Sequence, residues 1–319
     1  MELSEARGVL FAVGGGDIKS GDAPLLKEFA RLSKGPKARI VVLTVATDEP
    51  AAARREYEAA FKKLGVDDVV TVDISARADA EDEESLAAIR RATGLFFTGG
   101  DQLHITSLLG GTRMQALIHE RYEKGVVIGG TSAGAAMMSN SMMLQGASDE
   151  NPKLQGAQIG PGMDLVVGAL IDTHFSQRGR FGRLLTAVAH YPQDLGLGID
   201  EKTAMIVNRT EFEVMGEGAV TVIDAGSMTY TSLPDAEHDG ESLSLYDVRV
   251  HVVAAGHKFD LTRRAPIIEP SHTVRKRAGH EDDGDGGSGK NGGGKSGGGK
   301  NGGGKSAKKA RGKQAGGKK

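Results

Sequence analysis

The 319-residue sequence contains no cysteine and no tryptophan. The absence of cysteine excludes disulfide bonds, a thiolate nucleophile and any metal site with cysteine ligands. Hydrophobic runs are also short, because Gly, Asp, Lys or Arg interrupts each of them before the roughly 20 apolar residues that a membrane-spanning helix needs. The acidic start of the chain, followed by a short apolar run, is not typical of a signal peptide. We therefore expect a cytoplasmic protein with no membrane segment.

Charge is distributed unevenly along the chain. The formal net charge is −2, but residues 286–319 hold nine Lys, one Arg and no acidic residue, so this segment carries +10 and residues 1–285 carry −12. Its repeat of Gly-Gly-Gly-Lys followed by Asn or Ser cannot bury enough apolar surface to fold. We expect a globular domain over residues 1–274 and a disordered basic tail over 275–319. Weak binding of polyanions and a purely solubilising role are both open for the tail.

The order of short β-branched runs and amphipathic stretches predicts the fold class. Strands are predicted over residues 8–13, 38–45, 69–72, 95–98 and 126–129. Helices are predicted over residues 24–33, 51–64 and 83–92, with one or two more in 101–124 and a single helix over 176–189. The later strand-like segments look antiparallel. The prediction is an α/β fold, with a mostly parallel sheet wound with helices on both faces and additional antiparallel strands toward the C-terminus.

The most specific motif is Gly-Thr-Ser-Ala-Gly at residues 130–134, directly after the strand predicted over 126–129. This is the G-x-S-x-G pattern in the strand-to-helix setting that presents a nucleophilic serine. Glycine at both ends leaves room for a strained bend that side chains would obstruct. Ser132 would then stand near a helix N-terminus, where N–H groups favour negative charge. A turn of small residues that only packs a helix against a strand has the same composition.

A serine hydroxyl is a poor nucleophile without an adjacent base. Among the nine histidines, His174 is the candidate because it lies where an apolar run ends and a helix is predicted to begin. In open α/β folds, sites form at that edge of the sheet. A third group must hold the imidazole in the right tautomer. Glu201 follows a short apolar strand and is one candidate, and Asp200 and Glu150 are its rivals.

Acyl transfer also requires N–H donors for the negative oxygen of the tetrahedral intermediate. The N–H of Ala133 is one such donor by its position directly after the serine. The glycine turn that closes the strand predicted over 95–98 offers the second donor, from either Gly100 or Asp101.

Charged residues next to His174 indicate the kind of ligand. Arg178, Arg180 and Arg183 place three guanidinium groups within six residues, a pattern suited to carboxylates, although a solvated helix start has the same composition. Complementary groups for a guanidinium or an amide come from Asp172, Asp101 and Gln102. The sequence therefore predicts a ligand that bears both carboxylates and a positive group.

Three separated segments, residues 96–102, 129–135 and 172–183, together resemble the cyanophycinase family, and the similarity spans about residues 8–270. The resemblance implies a class I glutamine amidotransferase-like fold and a serine exopeptidase. Its substrate would be cyanophycin, a poly-aspartate with arginine on its side-chain carboxyls, and its product β-aspartyl-arginine. It further implies a homodimer that needs no metal or cofactor. The implied residue roles are Ser132 as nucleophile, His174 as base and Glu201 as orienting acid, with substrate bound by Gln102, Asp172, Arg178, Arg180 and Arg183.

Two positions depart from the family pattern. Thr173 stands where glutamine is expected in the substrate-binding segment, and His104 stands where arginine is expected. Both changes bear on substrate preference. Two other functions remain open, an aspartyl dipeptidase acting on short Asp-X peptides and a non-catalytic binding protein on the same fold.

Overall fold

Strands and helices alternate through the first half of the chain, as the sequence pattern predicts. The computed structural model describes residues 7–16, 18–146 and 151–268. The α-helices in these ranges are α1 (Pro24–Leu32), α2 (Pro50–Lys63), α3 (Glu83–Arg91), α4 (Gln102–Leu109), α5 (Arg113–Glu123), α6 (Ala133–Ala136) and α7 (Phe181–His190). The strands are β1 (Val9–Val13), β2 (Arg39–Leu43), β3 (Asp68–Val72), β4 (Gly94–Phe97), β5 (Val127–Thr131), β6 (Ser141–Gly146), β7 (Ala157–Pro161), β8 (Ala169–Thr173), β9 (Leu195–Ile199), β10 (Thr203–Asn208), β11 (Glu211–Gly216), β12 (Ala219–Asp224), β13 (Tyr230–Thr231), β14 (Leu245–Tyr246), β15 (Arg249–Ala254), β16 (Lys258–Asp260) and β17 (Ala265–Ile267).

A nine-stranded sheet has the order β17-β16-β11-β10-β1-β5-β4-β2-β3. The five strands from β1 to β3 in this order are parallel, because helices cross over between them. The other four strands extend the sheet in antiparallel fashion. The carboxyl ends of β1, β4 and β5 therefore meet at one edge, where β5 leads into Ser132.

Alternate residues of the parallel strands face two different cores, as the two-residue period of a strand requires. On one face, Phe96 of β4 packs against Phe29 of α1, with ring centroids 5.1 Å apart at 72°. On the other face, Leu95 belongs to a core that also contains Leu86 of α3 and Ile118 of α5. Helices thus cover both faces of the sheet, and the predicted fold class is confirmed.

A second sheet, with the order β15-β12-β9-β8, carries the other half of the site. Strands β8 and β9 are parallel, with Thr173 opposite Ile199. The segments that follow them, which begin at His174 and Asp200, therefore leave the sheet side by side. Strands β12 and β15 add antiparallel pairings. Two ribbons, β6 with β7 and β13 with β14, complete the described strands.

The helix predicted over residues 176–189 is wrong at its start. A 3₁₀ turn occupies Ser176–Arg178, and α7 begins only at Phe181. Gly179 lies between them with a φ of 59°, a left-handed conformation that ends helices and suits glycine. The segment 101–124 holds two helices, α4 and α5. Of the helices in the described ranges, none has the length and apolarity needed to cross a membrane. The predicted boundary at residue 274 and the tail lie outside the described residues.

Candidate active site

Ser132 lies at a strained bend between β5 and α6. Its φ of 53° and ψ of −113° are unfavourable for a residue with a side chain, so neighbouring groups must hold this conformation. One of them is Val13, whose carbonyl accepts a hydrogen bond from the N–H of Ser132 at 2.9 Å. The serine side chain remains partly exposed at the edge of the sheet.

The two glycines of the motif make this bend possible. A Cβ atom on Gly130 would lie 2.2 Å from the carbonyl oxygen of Gly134. A Cβ atom on Gly134 would lie 2.5 Å from the carbonyl oxygen of Phe97. Real Cβ atoms do not approach backbone oxygens so closely, so both positions require glycine for steric reasons.

His174 is hydrogen-bonded to the serine, with Nε2 2.8 Å from Oγ of Ser132. The histidine directly follows β8, has a φ of 51°, and donates its backbone N–H to the carbonyl of Gly14 at 2.7 Å. Gly15 lies against the imidazole, since a Cβ atom there would be 2.2 Å from Cε1 of the ring. The glycine run after β1 thus lets the backbone pack directly on the histidine.

Glu201 contacts the other ring nitrogen of His174, with Oε1 2.6 Å from Nδ1. Asp200, its rival in the sequence, is used elsewhere: its carboxylate accepts hydrogen bonds from the N–H of Ser176 at 3.0 Å and of Ala219 at 3.1 Å. Glu150, the other rival, lies outside the described residues. The structure therefore brings together Ser132, His174 and Glu201, in that order of hydrogen bonds.

The environment favours the neutral imidazole. Burial lowers the pKa of His174 below its ordinary value of 6.5, and the nearby charges of Arg178 and Arg180 lower it further. The hydrogen bond and charge of Glu201 act in the opposite direction and raise this pKa, but burial is the largest effect. At neutral pH, the ring can donate Nδ1–H to Glu201 and accept the serine proton on Nε2.

The loop after β4 lies beside the serine and offers an N–H donor. A Cβ atom on Gly99 would be 3.4 Å from Cβ of Ser132. Within the described part of the chain, the N–H groups of Gly100 and Ala133 have no acceptor. Asp101 differs from the prediction: its N–H donates to the carbonyl of Ala46 at 2.8 Å, and its carboxylate caps α4. Asp101 therefore has no free N–H for an oxyanion.

Asp172 and Arg183 form a buried ion pair rather than open ligand-binding groups. They are 1% and 6% exposed, and Nε of Arg183 lies 2.6 Å from Oδ2 of Asp172 while Nη2 donates to Oδ1. Oδ1 also accepts from the N–H of Thr173 at 2.8 Å. Asp172 and Arg183 thus satisfy each other inside the protein. Their contact with the substrate stays a prediction.

Arg180 and Arg178 differ from Arg183. Nη1 of Arg180 donates to the carbonyl of Thr173 at 2.6 Å, whereas its buried Nε has no hydrogen-bond partner among the described residues. Burial lowers the pKa of Arg180 to about 10, which still leaves the guanidinium charged at neutral pH. Arg178 is exposed beside His174. These two arginines remain the candidates for binding a carboxylate.

Gln102 and Thr173 are the remaining residues predicted to bind substrate, and His104 is the second departure from the family pattern. Gln102 uses its amide group to hold the backbone of β6, donating to the carbonyls of Met143 at 2.7 Å and Leu144 at 3.0 Å. Thr173 is buried at 5% exposure. His104 is exposed and lines a separate cavity of about 390 Å³.

Sequence reasoning assigned no role to Gln177, yet its Oε1 accepts the N–H of Glu201 at 2.9 Å. Only its place three residues after His174 could have indicated this contact, because glutamine carries no catalytic signal of its own. In the described ranges, no three His, Asp or Glu side chains gather as metal ligands would.

Comparison with known proteins places the chain in a family. A family model described as peptidase family S51 matches residues 10–215, more than half of the chain. The chain belongs to peptidase family S51. The matched range contains all three residues of the Ser132, His174 and Glu201 hydrogen-bond series. Membership of S51 makes the chain a serine-type peptidase.

Curated relatives match most of the chain. A cyanophycinase from Synechococcus elongatus is 37% identical over 257 residues, which span 80% of this chain and 80% of that protein. A cyanophycinase from Geminocystis herdmanii is 32% identical, over 82% of this chain and 96% of that protein. The crystal structure of a peptidase from an acI-B1 Actinobacterium has a TM-score of 0.60 and 18% identity, covering 81% of this chain and 98% of that chain. At that identity, the last similarity supports the fold alone.

Proposed function

We propose that this serine peptidase hydrolyses cyanophycin and releases β-aspartyl-arginine, with Ser132 as nucleophile, His174 as base and Glu201 as orienting acid. The observation that carries the proposal is the unbroken series of hydrogen bonds, 2.8 Å from serine to histidine and 2.6 Å from histidine to glutamate. The curated relatives that share 32–37% identity with this chain are named as cyanophycinases, which supports the choice of polymer.

In the first half of the reaction, Oγ of Ser132 attacks a backbone carbonyl carbon of the polymer while Nε2 of His174 takes the hydroxyl proton. The carbonyl oxygen becomes negative in the tetrahedral intermediate and lies among the N–H groups of Gly100 and Ala133. Removing one such donor typically raises the barrier by about 3–4 kcal/mol. The intermediate collapses when the carbon–nitrogen bond breaks and His174 gives its proton to the leaving amine.

In the second half, water attacks the acyl-enzyme and gives one proton to Nε2 of His174. Collapse of the second tetrahedral intermediate returns that proton to Oγ of Ser132 and releases the carboxylic acid product. Glu201 keeps the imidazole in the tautomer that presents Nε2 to the serine and stabilises the imidazolium that forms in each half. Each residue thus returns to its starting protonation state.

Carboxylate recognition falls to Arg178 and Arg180. Each unit of the polymer carries the free carboxylate of its arginine, and guanidinium groups bind carboxylates through paired, charge-assisted hydrogen bonds. Arg178 is exposed beside the base, and Arg180 is only partly buried and carries a charged guanidinium at neutral pH. The buried ion pair of Asp172 and Arg183 supports these two arginines from the protein interior.

The decisive experiment compares wild type with Ser132→Ala for the release of β-aspartyl-arginine from purified cyanophycin. We expect the variant to lose at least about 10³-fold in kcat while it still binds polymer. Asp-X dipeptides are the comparison substrate, because preferential hydrolysis of dipeptides would indicate an aspartyl dipeptidase. Product release by Ser132→Ala at the wild-type rate would refute the proposed nucleophile.

A further inference from the structure

Two loops with strained backbones carry the proposed base and acid. The base-bearing loop is residues 174–180, between β8 and α7, and the acid-bearing loop is residues 200–202, between β9 and β10. His174 has a φ of 51° and Lys202, next to Glu201, has a φ of 52°. Such conformations persist only where surrounding contacts hold them. The parallel pairing of β8 with β9 brings the loops side by side, but it ends at Thr173 and Ile199. Other contacts must therefore fix the catalytic side chains beyond the sheet.

Two hydrogen bonds join these loops, and in each of them a side chain of one loop accepts a backbone N–H of the other. Oδ1 of Asp200, in the acid-bearing loop, accepts the N–H of Ser176 in the base-bearing loop at 3.0 Å. Oε1 of Gln177, in the base-bearing loop, accepts the N–H of Glu201 in the acid-bearing loop at 2.9 Å. Each contact lies within two or three residues of a catalytic side chain. Together they fix the two backbone segments from which the imidazole and the carboxylate project.

Asp200 also ties this pair of loops to the rest of the sheet. Its second oxygen, Oδ2, accepts the N–H of Ala219 at the start of β12, at 3.1 Å. Gly218 leaves room for this contact, since a Cβ atom there would be 2.7 Å from Cβ of Asp200. Asp200 is 9% exposed, and its carboxylate accepts two charge-assisted hydrogen bonds from backbone N–H groups. Its position is therefore fixed by the protein and independent of substrate.

We infer that Gln177 and Asp200 are positioning residues for the catalytic pair, which hold the carboxylate of Glu201 in line with Nδ1 of His174 through reciprocal contacts between their loops. This inference rests on the proposed function, because it assigns the two residues a role in the reaction of Ser132. Neither side chain contacts the reacting atoms. Their effect is on alignment, to which reaction rates are sensitive.

Gln177→Met removes the acceptor from an exposed side chain of similar size, so the variant is expected to fold. We expect kcat on cyanophycin to fall by about 10-fold to 100-fold with little change in KM. Glu201 raises the pKa of His174, so a misaligned Glu201 should move the acid limb of the kcat/KM profile to lower pH. Gln177→Glu keeps an oxygen at the same place and should restore kcat to within a few fold of wild type.

Asp260→Asn is the matched control. Like Asp200, Asp260 is buried, at 8% exposure, and its carboxylate accepts two backbone N–H groups, those of Thr262 and Arg263. It lies on β16, in the antiparallel extension of the nine-stranded sheet. We expect Asp260→Asn to lower the melting temperature without moving the acid limb, and Asp200→Asn to lower the melting temperature and move the limb as well.

The inference is overturned if Gln177→Met keeps the wild-type kcat and acid limb, or if Gln177→Glu is as impaired as Gln177→Met. A loss in Asp200→Asn that only matches the loss of stability, as in the Asp260 control, also counts against it. Ser132→Ala separates the two proposals. If Ser132→Ala stays active, the proposed function fails, whereas an inactive Ser132→Ala beside a fully active Gln177→Met overturns only the positioning role.

Discussion

At the scale of single residues, the proposed role of His174 as base predicts the acid limit of activity. Its pKa lies below 6.5 in the folded protein, chiefly because of burial. The proposed mechanism needs the neutral imidazole, so we expect kcat/KM to fall only as the pH drops through this lowered pKa. The pH dependence of kcat/KM on a short soluble cyanophycin oligomer, which contains at least one backbone peptide bond between aspartates, measures it. An acid limb above pH 6.5 would contradict this account of the site.

The charges around the imidazole predict opposite shifts of that limb. Arg178 lowers the pKa of His174 and Glu201 raises it. We therefore expect Arg178→Gln to move the acid limb to higher pH and Glu201→Gln to move it to lower pH, the latter with a loss of roughly 10²-fold or more in kcat. Lys62→Gln, on the exposed end of α2, removes an equal charge away from the site and should leave the limb in place. Shifts of the same sign in the two site variants would contradict the prediction.

The buried pair of Asp172 and Arg183 predicts a stability effect instead of a binding effect. In Arg183→Met, the carboxylate of Asp172 stays buried with only the longer contact to Arg180, at 3.3 Å, as its guanidinium partner. We expect a loss of about 3–5 kcal/mol in the free energy of unfolding, because one partner of a buried pair has been removed. Denaturant unfolding measures this loss, and exposed Arg178→Met should change stability by less than about 0.5 kcal/mol. An equally small loss in Arg183→Met would contradict the prediction that this buried pair stabilises the fold.

At the scale of secondary structure, the bend at residues 130–134 could be predicted from the sequence because local steric crowding requires its glycines. The strand before it, the bend at Ser132 and the helix after it all follow from adjacent residues. The pairing of His174 with Glu201 was harder to predict from the sequence, because Asp200 and Glu201 are neighbours that both carry a carboxylate. Which of them faces the imidazole depends on β12, where the N–H of Ala219 binds Asp200. The burial of Arg183 was not predicted for a similar reason, since burial is a property of the assembled fold.

The bend itself predicts the effect of a single methyl group. Gly130→Ala would place Cβ 2.2 Å from the carbonyl oxygen of Gly134, so the backbone around Ser132 must shift. We expect a loss of about 1–3 kcal/mol in stability and a loss of about 10²-fold in kcat, since Ser132, the proposed nucleophile, moves with the bend. Gly65→Ala is the control, because it meets a positive φ of 81° in open space after α2. It should cost stability and spare kcat, and wild-type kcat in Gly130→Ala would contradict the steric argument.

At the scale of the whole molecule, the site is shared between two sheets. Ser132 and Ala133 follow β5 and Gly100 follows β4 of the larger sheet, whereas His174 and Glu201 follow β8 and β9 of the smaller sheet. The glycine run after β1 joins them, because Gly14 accepts the N–H of His174 and Gly15 packs on its ring. The proposed mechanism therefore depends on how the two sheets pack. The homodimer and the cytoplasmic location expected from the sequence stay predictions.

The charge asymmetry of the full chain predicts a separate role for residues 286–319. This segment carries +10 beside a remainder of −12, and lysine-rich chains bind polyanions through contacts that salt weakens. We expect the full chain to bind polyphosphate at low ionic strength and to release it as salt rises. Deleting the segment should abolish this binding without changing kcat on a short soluble substrate. Replacing its Lys and Arg by Gln keeps the length and removes the charge, so retained polyphosphate binding in that variant would rule out an electrostatic role for the tail.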